Sequence, residues 1–212
     1  QGMGGLMSIT GAPGEGPMRV GIPIADLCGG LFAAQGIFIA LLEREESGKG
    51  QWIHTSLLQA QIFMLDFQAS RWTMSGEVAG QAGNNHPTSI PTGAFKTTDG
   101  YINLAVSGGE IWQRCAKVLE REDLITNPDY ASGGDRSRNR DTLNAIIQDI
   151  LLHKSSAEWV EAFNAAGVPC GPIYAINEVF EDPQVKHLGM AKTVHSPNIG
   201  RDIDLINQPI TM

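Results

Sequence analysis

The 212-residue chain is 42% hydrophobic and 18% charged, which suits a soluble globular protein long enough to bury a substantial core. A net charge of −8 argues against a nucleic-acid partner, which needs a basic face, but leaves room for an anionic ligand held by local cations and helix N-termini. Cys28, Cys115 and Cys170 are odd in number and far apart, and the five histidines are equally scattered. Neither a disulfide framework nor a metal site is expected; free thiols in a reducing, cytoplasmic setting are.

The chain opens without a methionine and ends on Ile210, Thr211 and Met212 after an apolar stretch, so it reads as a piece of something longer. Residues 2–21 form a Gly/Pro-rich loop region, with Gly11-Ala12-Pro13-Gly14 a strong turn signal. Residues 24–46 read as one long helix, apolar on almost every face until Glu43, and a helix apolar all round is a buried one. Gly48 is placed to cap its C-terminus. The uncharged run at 27–42 is too short for a membrane span. Residues 51–56 alternate as a short strand and 57–74 follow as a second helix, which is α/β order.

Residues 75–92 hold Gly76, Gly80, Gly83, Asn84, Asn85, Pro87 and Pro91 and read as a long loop and domain boundary. Residues 95–106 predict a hairpin turning through Thr98, Asp99 and Gly100. Helices are predicted at 110–119 and 138–153, and a third opens at Ser156 with Ser155 or Ser156 as its cap. Residues 169–173 read as extended and 176–180 as a short helical turn. The division that follows is 1–74 as part of a large domain, 75–92 as linker and glycine loop, 93–190 as a small α/β domain, and 191–212 as a return linker carrying Pro197, Gly200 and Pro209.

Asp26 is the one charge between Val20 and Leu42, at the start of a helix otherwise made to be buried. The helix dipole favours an anion there, and a carboxylate partly shielded from water is a competent nucleophile toward an activated acyl carbon. Asp is also among the best N-caps, and one residue can serve in both ways. Residues 80–87, reading Gly-Gln-Ala-Gly-Asn-Asn-His-Pro, either bring backbone and neutral donors close to a ligand or simply link two domains. Gly2-Met3-Gly4-Gly5 is a weak match to a dinucleotide fingerprint, because no strand precedes it.

Four separated stretches resemble family III coenzyme A transferases, the CaiB/BaiF family. They are residues 1–11 ahead of the nucleophile, 23–37 as the nucleophile helix, 83–87 as the glycine-loop region, and 167–173 with 182–185 as the small-domain signature. The resemblance implies a Rossmann-like large domain plus a small α/β domain joined by long linkers, in an interlocked homodimer. Family members are about twice this length, so the chain is expected to be a central piece. Asp26 would be the catalytic aspartate, and Gly83, Asn84, Asn85 and His86 would form a substrate-binding lid. Val106, Ser107 and Gly108 would lie where the small domain approaches coenzyme A. The substrates implied are an acyl-CoA and a carboxylic acid acceptor, with no metal, nucleic acid or membrane. Formyl-CoA:oxalate transferases have a more glycine-rich loop, with glycines where this chain has Asn84 and Asn85, which counts against oxalate. An α-methylacyl-CoA racemase shares the fold, but carries a Glu after the strand where this chain has Gly108. A non-catalytic interaction domain is the alternative from a different class.

Overall fold

The computed structural model describes residues 1–211, which fall into two compact units that divide between Gly93 and Ala94. The expected mixed α/β class is the one observed. The first unit is mainly helical: α1 (Leu6–Ile9), α2 (Ile24–Ser47), α3 (Leu57–Phe63) and α4 (Phe67–Ser75).

Gly48 adopts a left-handed φ of 69° and its N–H bonds the Arg44 carbonyl, ending α2 where the sequence places its cap. Ser56 caps α3, its hydroxyl accepting from the Gln59 N–H at 3.2 Å. The single helix expected over 57–74 is broken at Asp66, whose φ of 50° is uncommon for a residue with a Cβ and turns the chain between α3 and α4. Residues 51–56 form no strand in the described structure, and Trp52 is 89% exposed. Alternation marks a segment able to join a sheet, and the sheet itself needs a neighbour.

The burial expected of α2 is not seen. It packs against α3, yet only Ala25, Cys28 and Gly29 are buried, while Leu31, Phe38 and Leu42 stay at least 64% exposed. By length and composition α2 is also able to cross a bilayer, a test that core helices of soluble proteins pass as well. The length argument made from residues 27–42 alone therefore does not hold for the whole helix.

The second unit is built on a three-stranded sheet in the order β1-β2-β3, with β1 (Thr92–Lys96) starting at the end of the first unit, β2 (Tyr101–Ala105) and β3 (Cys170–Pro172). The predicted hairpin turn closes through the Thr97 N–H to the Gly100 carbonyl at 3.0 Å. β3 runs antiparallel to β2 with Ile102 opposite Pro172 and Leu104 opposite Cys170. Between β2 and β3 come α5 (Gly108–Val118), α6 (Asp123–Thr126), α7 (Gly133–Arg138), α8 (Arg140–Leu151) and α9 (Ser156–Ala165). Ser155, not Ser156, caps α9, in a capping box with Glu158. Ile102, Leu104, Trp112, Leu143, Ile147 and Phe163 are no more than 1% exposed and make one core.

Past β3 stand α10 (Ile176–Glu181) and α11 (Pro183–His187), the latter capped by the Asp182 carboxylate. Within 191–212, read as a linker without regular structure, residues 191–206 instead form a hairpin of β4 (Ala191–Ser196) and β5 (Arg201–Ile206), in register from Ala191–Ile206 to Ser196–Arg201. Pro197 and Gly200, taken as signs of irregularity, bracket the turn of that hairpin.

Candidate active site

The approach to Asp26 is held by a clamp from the first residue. The Gln1 side chain accepts from the Val20 N–H at 2.9 Å and donates to the Ile22 carbonyl at 3.0 Å. The Pro23 carbonyl then accepts from the N–H groups of Asp26 and Leu27, both at 3.1 Å, to start α2. Pro23 occupies the cap position and no side chain caps this end, so Asp26 lies inside the first turn and is not an N-cap. Its carboxylate is exposed and makes no hydrogen bond or ion pair with the described residues. The shielding expected from a buried helix is absent around it, because α2 is largely uncovered.

Asp26 lines a cavity of about 610 Å³ together with Gly2, Gly4, Arg19, Leu58 and Gln61. The two polar side chains among these, Arg19 and Gln61, were not singled out in the sequence. Arg19 is the one cationic side chain among the lining residues, and it forms no ion pair with Asp26. Gln61 is 1% exposed, and neither heteroatom of its amide has a hydrogen-bond partner among the described residues. A buried donor or acceptor left unpaired costs about 1–3 kcal/mol. In the sequence Gln61 is a polar residue in a helix, a type that ordinarily faces water, and nothing local distinguishes it from Gln59.

The glycine loop is anchored elsewhere in the same unit. The Gln81 amide donates to the carbonyls of Thr10 at 2.7 Å and Gly16 at 2.6 Å, and the Gly83 N–H donates to the Gly11 carbonyl at 2.9 Å. Gly83 takes a φ of 60°, which favours glycine. Asn85 bridges Gly93, where an added Cβ would stand 2.4 Å from the Asn84 carbonyl oxygen. His86 stacks on Phe67 with ring centroids 5.8 Å apart. Its Nδ1 accepts from the N–H groups of Ser89 at 3.0 Å and Thr88 at 3.2 Å, which leaves Nε2 as the protonated nitrogen of the neutral ring. Residues 83–86 are not among those lining the Asp26 cavity.

Val106, Ser107 and Gly108 belong to the second unit. Val106 is 1% exposed and its side chain is part of the core, so this stretch offers a ligand only backbone and the Ser107 hydroxyl. Gly108, with a φ of 81°, opens α5 behind Ser107, whose side chain makes no capping bond. Two of the thiols, those of Cys115 and Cys170, are poor nucleophiles here. Burial pushes Cys115 up to about 12 and Cys170 up to about 11, so both stay protonated at neutral pH. Among the described residues no three His, Cys, Asp or Glu side chains are grouped to hold a metal.

The fold and site define a mixed α/β protein with a free carboxylate in the first turn of a helix, set in a cavity that also holds an arginine and a buried amide. The chain belongs to CoA-transferase family III, which it matches over residues 1–212. It is similar to the succinyl-CoA:glutarate CoA-transferase of Homo sapiens, with 33% identity over 93% of this chain and 45% of that protein. It is also similar to the acetyl-CoA:oxalate CoA-transferase of Acetobacter aceti, with 32% identity over 87% of this chain and 48% of that one. A crystal structure of a CaiB/BaiF family protein from Brucella suis superposes with a TM-score of 0.80 at 31% identity, over 100% of this chain and 55% of that one. The chain thus spans about half the length of the relatives it matches.

Proposed function

We propose that Asp26 is the nucleophile of a transferase that moves CoA from an acyl-CoA thioester to a dicarboxylic acid. The observation that carries this reading is the position of Asp26: an unpaired carboxylate in the first turn of α2, open to a cavity of about 610 Å³. A carboxylate tied up in an ion pair or a cap would have to break that bond before attacking; this one is free.

Asp26 attacks the thioester carbonyl, the C–S bond breaks, and CoA leaves as thiolate. The resulting mixed anhydride joins the donor acid to Asp26. The thiolate attacks the aspartyl carbonyl, releases the donor acid and leaves Asp26 as a CoA thioester. The acceptor carboxylate then attacks that thioester to form a second anhydride, and the thiolate resolves it into the new acyl-CoA and free Asp26. Negative charge builds on a carbonyl oxygen at each addition, so fixed donors in the cavity would accelerate every step. The two relatives named act, by their names, on glutarate and oxalate, both acids with two carboxyl groups. Arg19, unpaired on the cavity wall, supplies the charge that would hold the second one. An interlocked homodimer and a cytoplasmic setting belong to the same reading.

In the full-length natural protein that contains this chain, Asp26→Ala should lower transfer by about 10⁴-fold or more. Asp182→Ala should keep most of the activity, because Asp182 caps α11 in the other unit. Hydroxylamine trapping after incubation with succinyl-CoA should label Asp26, and an acid panel should favour dicarboxylates over monocarboxylates. A label on another residue would remove Asp26 from the mechanism.

A further inference from the structure

Gln61 is held in place by its surroundings, and yet its amide has no partner among the described residues. The Ser56 cap fixes the start of α3, and Gln61 follows on a face that also brings Leu57 and Leu58 to the cavity wall. Its aliphatic stem packs directly on Gly4: a Cβ added there would sit 2.3 Å from the Gln61 Cγ and 2.9 Å from its Cβ. Only glycine at position 4 admits this side chain in this rotamer. The stem is therefore clamped between the N-terminal turn and α3, while the amide at its end is out of water and unsatisfied. Such a group is completed by whatever enters the space it lines.

We infer that the Gln61 amide contacts the reacting acyl group at Asp26, donating an N–H to the carbonyl oxygen that gains negative charge when Asp26 attacks. This rests on the reading of Asp26 as the nucleophile. A neutral amide suits the position chemically. An amide carries no charge of its own to compensate the Asp26 carboxylate, and its hydrogen bond strengthens as charge develops on the carbonyl oxygen. The clamp from Gly4 adds preorganisation, since a donor that need not move loses little entropy on binding. The N-terminal Gly2-Met3-Gly4-Gly5 stretch, too weak a match for nucleotide binding, thereby acquires a role as the seat of this donor.

The test uses the full-length natural protein and Gln61→Met, which keeps the length of the side chain and removes the donor. Single-turnover acylation of Asp26 by succinyl-CoA, read by hydroxylamine trapping, should slow about 10²-fold, with kcat falling and KM for the thioester little changed. The melting temperature should stay at or above that of the wild type, because an unsatisfied amide has been replaced by an apolar group. Gln61→Glu gives an independent readout should the Met variant fold poorly. Its carboxyl group donates only when protonated, so the ratio of variant to wild-type activity should rise as pH falls. Acylation at the wild-type rate in the Met variant, or a lowered melting temperature with unchanged kcat, would show that the amide bonds another part of the protein and would overturn the inference. Failure of the wild type itself to acylate Asp26 would instead remove the proposed function, and the two failures are read from separate samples.

Discussion

The contrast between α2 and α8 separates the two units of this chain. In α8, Leu143, Ile147 and Leu151 repeat at helical spacing, and each is 0% exposed, covered by the unit's own sheet and helices. In α2 apolar residues run round the whole helix, and Leu31, Phe38 and Leu42 remain 64–72% exposed. A helix with one apolar stripe is satisfied by one packing layer. A helix apolar all round needs neighbours on every side, and within the described residues α3 is the helix that packs on it. The second unit thus closes a core of its own, while the first displays the apolar surface and the candidate site together. The relatives are about twice as long as this chain, so further sequence is available in such proteins to cover that surface.

The comparison breaks most readily at its strongest point. Ile147→Ala should destabilise the second unit by about 2–5 kcal/mol, as deletion of a fully buried aliphatic side chain does. Leu42→Ser in this chain should stay within about 0.5 kcal/mol, because Leu42 is 72% exposed. Urea unfolding of both variants beside the wild type checks the pair. A cost at Leu42 comparable to that at Ile147 would mean that α2 is covered in solution, for instance by self-association, and would sharpen the contrast into an interface.

A smaller effect is expected at the junction of hairpin and α9. The Asp99 carboxylate accepts from the Ser156 N–H at 2.8 Å and from the Thr97 hydroxyl at 3.1 Å. The Ser156 backbone bond, before the others, holds Asp99 below the usual carboxylate range. A carboxyl group whose folded pKa is depressed adds stability above its unfolded pKa of about 3.9, and that contribution fades as pH falls through the lower folded value. Asp99→Asn should therefore flatten the decline of the urea midpoint below about pH 4 and change its pH dependence little at neutral pH. An unchanged acid limb in the variant would remove Asp99 as a source of it.

Much of the second unit was legible in the sequence because its signals are local. The hairpin turn, the serine cap of α9 and the helix expected over 138–153 each follow from residues a few positions apart, and the structure places them within a residue or two. The β4–β5 hairpin was missed because Pro197 and Gly200 are equally at home in a turn and in a linker, and only the pairing of Ala191 with Ile206 and of Ser196 with Arg201 decides between them.

At the candidate site the sequence by itself singled out Asp26, since a lone carboxylate at the head of an apolar helix is visible without coordinates. Whether that carboxylate caps the helix or stands free is a matter of one turn of backbone, and the structure puts Pro23 at the cap. Arg19 and Gln61 emerged only from the tertiary structure. They lie 7 and 35 residues from Asp26, and no periodicity links them to it. What joins them is a cavity formed when the N-terminal turn, α2 and α3 pack together, and a clamp in which a missing Cβ at Gly4 makes room for the Gln61 stem. Helix, turn and cap preferences are properties of neighbouring residues and can be read along the chain. A shared wall and an unpartnered amide depend on how distant segments pack, and that is settled only when the chain has folded.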